Sequence, residues 1–245
     1  EAVHDAVERL AESVWRAREG FVPRVEPCKA AIDSALANPR RPVILVDVAD
    51  NVGGGSPGDG TEILQRLLTA RAHSGAIVIW DPGAAAAAVA IGAGGKFSGS
   101  VGGKSDARHG PPVVIEGAIQ FADRVVYKRS SSYMTGLPVD LGHVAVVDVG
   151  GLEVMLTEQR AMPFDADHLR AAGISPRSQQ LLVVKSAIGW KAAFADVAGD
   201  HVYVDTPGAC ASDLRRLRYT QGANRLYPLD PNALYPGEPG SVAQG

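Results

Sequence analysis

An α/β fold is predicted by this sequence: a mixed β-sheet with helices packed on its faces, preceded by an N-terminal amphipathic helix. Three observations carry that prediction. Two short β-branched runs, VILVDVA at Val43–Ala49 and AIVIWD at Ala76–Asp81, are each followed by a helical segment, the alternation of a parallel sheet. Further apolar runs at Lys96–Val101, Val113–Phe121 and His143–Thr157 follow with no helix between them, as antiparallel neighbours do. The 245 residues are 46% hydrophobic and 21% charged, enough apolar surface for a core and too little net charge for bulk disorder.

Taken in order, residues 1–19 place Val3, Val7, Leu10 and Val14 on one helical stripe, with Gly20 as the stop. A second short helix runs from Cys28 to Leu36 and ends at Asn38-Pro39. The near-continuous apolar strand at Val43–Ala49 reads as buried on both faces. A polar, glycine-rich loop then leads into a helix over Thr61–Ala72. Asp81-Pro82 starts the next helix, with Asp as cap and Pro at the first position, where its missing N–H costs nothing. The alanine run behind it propagates that helix to Gly92. Gly150-Gly151 makes a hairpin turn, and Lys128–Met134 a polar surface loop. A short helix capped by Asp165 or Asp167 stops at Gly173. Leu181–Lys185 forms a strand, Trp190–Ala198 a helix and His201–Asp205 a final strand, before a proline-rich irregular tail from Tyr227.

Composition excludes several function classes. With 24 Lys plus Arg against 27 Asp plus Glu, a net charge of −3, no basic excess exists for neutralising a nucleic acid. No apolar run approaches the roughly 18 residues of a membrane span. Cys28 and Cys210 are too few for a cysteine zinc site and read as free thiols of a reducing compartment, so a cytoplasmic location is expected. The six histidines never stand three or four apart, and Asp165-Ala166-Asp167-His168 reads as a helix start rather than a metal cluster, so no metal ligands are expected in this chain. No G-x-S-x-G is present, and Ser130-Ser131-Ser132 reads as loop rather than nucleophile. Arg215, Arg216, Arg218 and Arg225 make a small basic stretch, a solvated or carboxylate-paired face.

The loop Asp50–Gly60 holds the candidate site. Asp47, Asp50 and Asn51 lie at or just past the carboxyl end of a parallel strand, where open α/β sheets place their ligand crevice. Gly53, Gly54 and Gly55 permit close backbone approach and could turn their N–H groups toward an anion. Gly53, Gly55 and Gly58 spell G-x-G-x-x-G, but Asp50-Asn51-Val52 separates them from the strand and Pro57 interrupts the helix start, so a dinucleotide fingerprint is not supported. Lys104, after Gly102-Gly103, and Lys185, ending LLVVK, are the cations that could reach the same crevice for a carboxylate or oxyanion.

The blocks VDVADNVGGGSPGDGT, IVIWDP, GGK, VDVGGLEVMLTEQR, VVKS–KAAF and VDTPGA, in this order, resemble the C-terminal domain of the MlrC family of metallopeptidases, from about Pro42 to about Asp230. The resemblance implies a division into a helical lead-in at 1–41 belonging to a missing N-terminal domain, an α/β domain at 42–230 and an irregular tail at 231–245. It implies zinc in the full-length protein, with ligands supplied by that N-terminal metal-binding domain and hence outside this chain, and a peptide or small amide as substrate. It carries Asp50 and Asn51 over as the catalytic pair facing the metal cleft. Val52 stands where the family has proline, and Gly189 where relatives have a larger residue, often His. Two other readings stay open: an anion- or phosphate-binding module using the glycine loop, and a structural half that buries another domain or forms a homo-oligomer.

Overall fold

The computed structural model describes residues 2–131, 133–160, 162–221 and 226–235. The chain divides into two compact units, Val25–Ala211 and the paired terminal segments Glu1–Arg24 and Ser212–Gly245.

The larger unit contains a mixed sheet of nine strands among the described residues. In chain order these are β1 (Glu26–Pro27), β2 (Val43–Asp47), β3 (Gly75–Trp80), β4 (Lys96–Val101), β5 (Val113–Lys128), β6 (Pro138–Val149), β7 (Leu152–Thr157), β8 (Leu181–Val184) and β9 (Asp200–Asp205). Their spatial order is β1-β9-β2-β8-β3-β7-β6-β5-β4. From β1 to β7 neighbours are parallel, and from β7 to β4 they are antiparallel. The carboxyl ends of β2, β3, β7, β8 and β9 therefore lie along one rim, and the loops that leave them share it.

Strand alternation sorts the core into two layers. In β2, Val43 and Leu45 join Ile32, Leu64 and Ile77 on one side, while Ile44 and Val46 join Leu169, Trp190 and Phe194 on the other. Helices α2 (Cys28–Ala37), α3 (Glu62–Thr69) and α4 (Pro82–Ile91) cover the first face. Helices α5 (Asp167–Ala171) and α6 (Trp190–Ala193) lie on the second. Each buried Leu, Ile or Val contributes about 1.5–3 kcal/mol, so the two-sided burial of the parallel strands is the main source of stability. In α4 the small residues Ala84, Ala85 and Ala88 let the helix lie close against the sheet.

Several elements differ in extent from the sequence expectation. The second antiparallel strand continues past Phe121 to Lys128, and its partner begins at Pro138 rather than His143. Register shifts at Ile119/Phe121 and Val125/Val126 carry β5 through Asp123 and Arg124, whose polarity hides the strand. The helix after β8 spans Trp190–Ala193 only and relaxes into turns closed on Phe194. Neither Asp165 nor Asp167 is the cap of the helix over Asp167–Ala171: Ala166 holds that position with no side-chain cap, and Asp165 Oδ1 accepts the Asp167 N–H at 3.1 Å from one residue further out. Both cysteines are free, and burial pushes the Cys28 thiol up to about 12.

In the smaller unit, the helix α1 (Ala2–Arg16) has no buried residue, and Val3, Val7, Leu10 and Val14 are exposed by 50–77%. Trp15 packs against Tyr227 and Tyr235, with the Arg18 guanidinium 4.6 Å from the Trp15 ring centroid. Arg225 lies outside the described residues, as does Ser132.

Candidate active site

The rim of parallel-strand ends is held by a buried ionic knot. Asp47 ends β2, Lys185 follows β8, and Asp50 opens the loop between β2 and α3; none is more than 5% exposed. Lys185 Nζ donates to Asp50 Oδ2 at 2.8 Å, to the Gly60 carbonyl at 2.8 Å and to Asp47 Oδ2 at 3.4 Å. Asp50 also accepts the Gly58 N–H at Oδ1 (2.8 Å) and the Gly60 N–H at Oδ2 (2.7 Å). Asp47 Oδ1 accepts the Thr206 hydroxyl at 2.6 Å, which brings in the end of β9. Burial works against the Lys185 charge, but Asp50 and Asp47 overcome it and hold the ammonium above its ordinary range. Asp47 is pushed up by its burial and by the Asp50 charge, with Lys185 opposing.

These contacts explain the local chain path. With both Asp50 oxygens saturated by N–H groups eight and ten residues ahead, the loop folds back on itself and Asn51 is left at its crest. The Asn51 carbonyl accepts from Gly54 and Ser56, closing a tight 3₁₀ turn over Val52–Gly54. Gly55 sits at φ 99°, a conformation suited to glycine. At Gly54 a Cβ would lie 2.7 Å from Cys210 Sγ and 2.9 Å from Asn51 Nδ2, so a larger residue would push those side chains aside. The Asn51 carboxamide is half-buried and makes no hydrogen bond among the described residues. The N–H groups of Gly54 and Gly55 donate within the turn, to Asn51 and Val52.

Two neighbouring groups complete the rim. His109 is wholly buried; Ala209 N–H donates to its Nε2 at 3.1 Å, so the proton is on Nδ1, which donates to Asp106 at 2.7 Å. Its Nε2 stands 3.7 Å from Asp50 Oδ1. The Arg108 N–H, with His109, holds the Asp106 carboxyl well below the usual range. Asp59, also buried, accepts from the Lys104 and Ser105 amides and the Ser105 hydroxyl, all at 2.9 Å.

The structure thus gathers Asp50, Asn51, Gly53, Gly54, Gly55 and Lys185 around one turn. Lys104 belongs to a different set: its ammonium pairs with Asp81 and the Ser100 carbonyl, both at 2.8 Å, beside the start of α4. His109 and Asp59 escaped the sequence reading because the Asp59 partners lie 45 and 46 residues away and His109, though it bonds the nearby Asp106, meets the rim only through Ala209, 100 residues on. The nearest signal was the dense Gly102–Gly110 segment, polar beyond the needs of a connection. The donors of the knot do not fit a metal ion, since Asp50 is spent on Lys185 and two amides. Among the described residues no group of three or more His, Cys, Asp or Glu could hold one.

The MlrC C-terminus family model matches residues 45–221. Microcystinase C from Sphingomonas sp is 31% identical over 204 residues, covering 82% of this chain and 38% of that protein. The crystal structure of a protein from Mesorhizobium sp. BNC1, described as a putative metallopeptidase, superimposes with a TM-score of 0.79 at 29% identity, covering 92% of this chain and 45% of its own. The chain spans less than half the length of these two relatives.

Proposed function

Because the chain belongs to the MlrC family through its C-terminal region, we propose that it is the C-terminal part of a peptide or amide hydrolase and forms one wall of the active cleft. The observation that carries this reading is the crest at Asn51, rigidly presented above a saturated ionic knot. A free carboxamide at that point can donate to a substrate carbonyl or to the oxyanion that develops there. Asp50 acts as the positioning residue, since each of its oxygens is already engaged. Gly53, Gly54 and Gly55 keep the crest slim enough for close approach, and Lys185 neutralises the carboxylates beneath it. Metal, zinc by the family's expectation, would be held by residues of a further domain. The substrate is a peptide or small amide.

The test has two arms. The purified chain should contain no stoichiometric metal by elemental analysis and hydrolyse no peptide; hydrolysis by the chain alone would overturn the division of labour. In the whole protein, Asn51→Ala should cost about 10²–10³ in kcat with unfolding unchanged, the loss typical of an oxyanion donor. Full activity in that variant would remove Asn51 from the machinery. An anion-binding role is the weaker reading, because the Gly54 and Gly55 amides that would serve it are used inside the turn.

A further inference from the structure

Beside the ionic knot, between the ends of β3, β7 and β8, lies a small cavity bordered by Val52 and Gly58 of the loop, Trp80, Thr157, His168 and Lys185. It offers about 20 Å³ to the centre of a water molecule. One water needs roughly 10–15 Å³ on that measure.

The polar groups of its wall are few and specific. Thr157 is fully buried, and its Oγ1 has no hydrogen-bond partner among the described residues. His168 is 3% exposed and its Nδ1 lies 2.6 Å from the Asp165 carbonyl, a contact that requires a proton on Nδ1. Its Nε2 is therefore an acceptor, and it has no donor among the described residues. Burial holds His168 below its ordinary range, which keeps that nitrogen unprotonated. Lys185 offers nothing further, its protons being directed at Asp50, Asp47 and the Gly60 carbonyl. The Trp80 indole N–H is likewise spent on the Glu158 carbonyl at 2.9 Å.

The occupant must be neutral, must donate to a ring nitrogen, and must satisfy a hydroxyl. An anion would find a single hydroxyl donor, a metal ion a single nitrogen, and an apolar group would leave the buried Thr157 hydroxyl unpaired. We propose that this cavity is a resident-water site, in which one water donates to His168 Nε2 and exchanges a second hydrogen bond with Thr157 Oγ1. The water makes the end of β7 and helix α5 a single unit. His168 then becomes a positioning residue for the intervening segment, which carries Phe164 against Gly53 and Gly189.

The experiment uses the chain itself, with Thr157→Val and Thr157→Ser variants, thermal unfolding and ¹⁵N NMR of the histidine rings. Loss of the hydroxyl in Thr157→Val should lower Tm by about 2–4 °C and move the His168 Nε2 resonance. Thr157→Ser, which keeps the hydroxyl, should leave that resonance in place. An unchanged or higher Tm in Thr157→Val would overturn the site, because removing an unsatisfied hydroxyl from a dry cavity relieves a cost. Should Thr157→Val not fold, the wild-type resonance decides: a hydrogen-bonded Nε2 shift supports the water, and the shift of a free acceptor overturns it.

Discussion

Lys185 is the residue on which the rim depends. Replacing it with methionine keeps the stem and removes the ammonium, leaving Asp47 and Asp50 buried without a counter-charge. Breaking a buried pair in this way costs about 3–5 kcal/mol, and urea unfolding of Lys185→Met should show a loss of that order. His168 makes a prediction in pH. Its folded pKa lies below the unfolded value near 6.5, so its contribution is present above about pH 6.5 and is lost as pH falls toward the folded value. The urea midpoint should therefore decline as pH falls below about 6.5, and His168→Asn should flatten that decline. Asp50, Asn51 and Lys185 were legible in the sequence because each abuts an obvious strand end. His109 was not, since its meaning comes from Asp106 on one side and the Ala209 amide on the other.

At the scale of elements, Asp81 illustrates a local rule with a long-range addition. Its Oδ1 caps α4 at the Ala84 N–H, as the Asp-Pro pair predicts, while its Oδ2 accepts the Gly102 N–H at 3.0 Å and pairs with Lys104. Asp81→Ala should exceed the roughly 1 kcal/mol typical of a lost cap and approach about 2–3 kcal/mol with the added buried contact; chemical denaturation measures it. The β6–β7 hairpin turns on Gly150 and Gly151, both at positive φ, and a Cβ on Gly151 would fall 2.1 Å from the His73 carbonyl. Gly151→Ala should cost at least about 1–3 kcal/mol, visible as a lowered Tm. The elements whose ends were hard to read, β5 and the start of β6, are those set by pairing across the sheet rather than by their own residues.

For the whole molecule, every residue of both apolar clusters falls between Cys28 and Val204. A chain trimmed to Val25–Ala211 should accordingly unfold cooperatively with its sheet intact, as circular dichroism on heating would show. The amides of α1 should exchange rapidly by comparison, because a 15-residue helix with no buried side chain is marginal in water. Asp106, Asp140, Glu158 and Asp200 are all held below their ordinary values by amides and cations. Their contribution is present above the unfolded carboxylate range and lost beneath it, so stability should fall as pH drops below about 4. No described helix is long and apolar enough to cross a membrane.

The order of strands and helices, the α4 cap and the hairpin glycines were determined by the sequence alone, because each rests on contacts within a few residues. Tertiary structure decided the rest. Only the insertion of β8 between β2 and β3 brings Lys185 onto Asp50, and only the resulting saturation of Asp50 leaves Asn51 as the free group at the crest. The same fold sends Lys104 to Asp81 and encloses Thr157 and His168 around one cavity. A buried charge takes its role from the partners that compensate it, and those partners are distant in the chain.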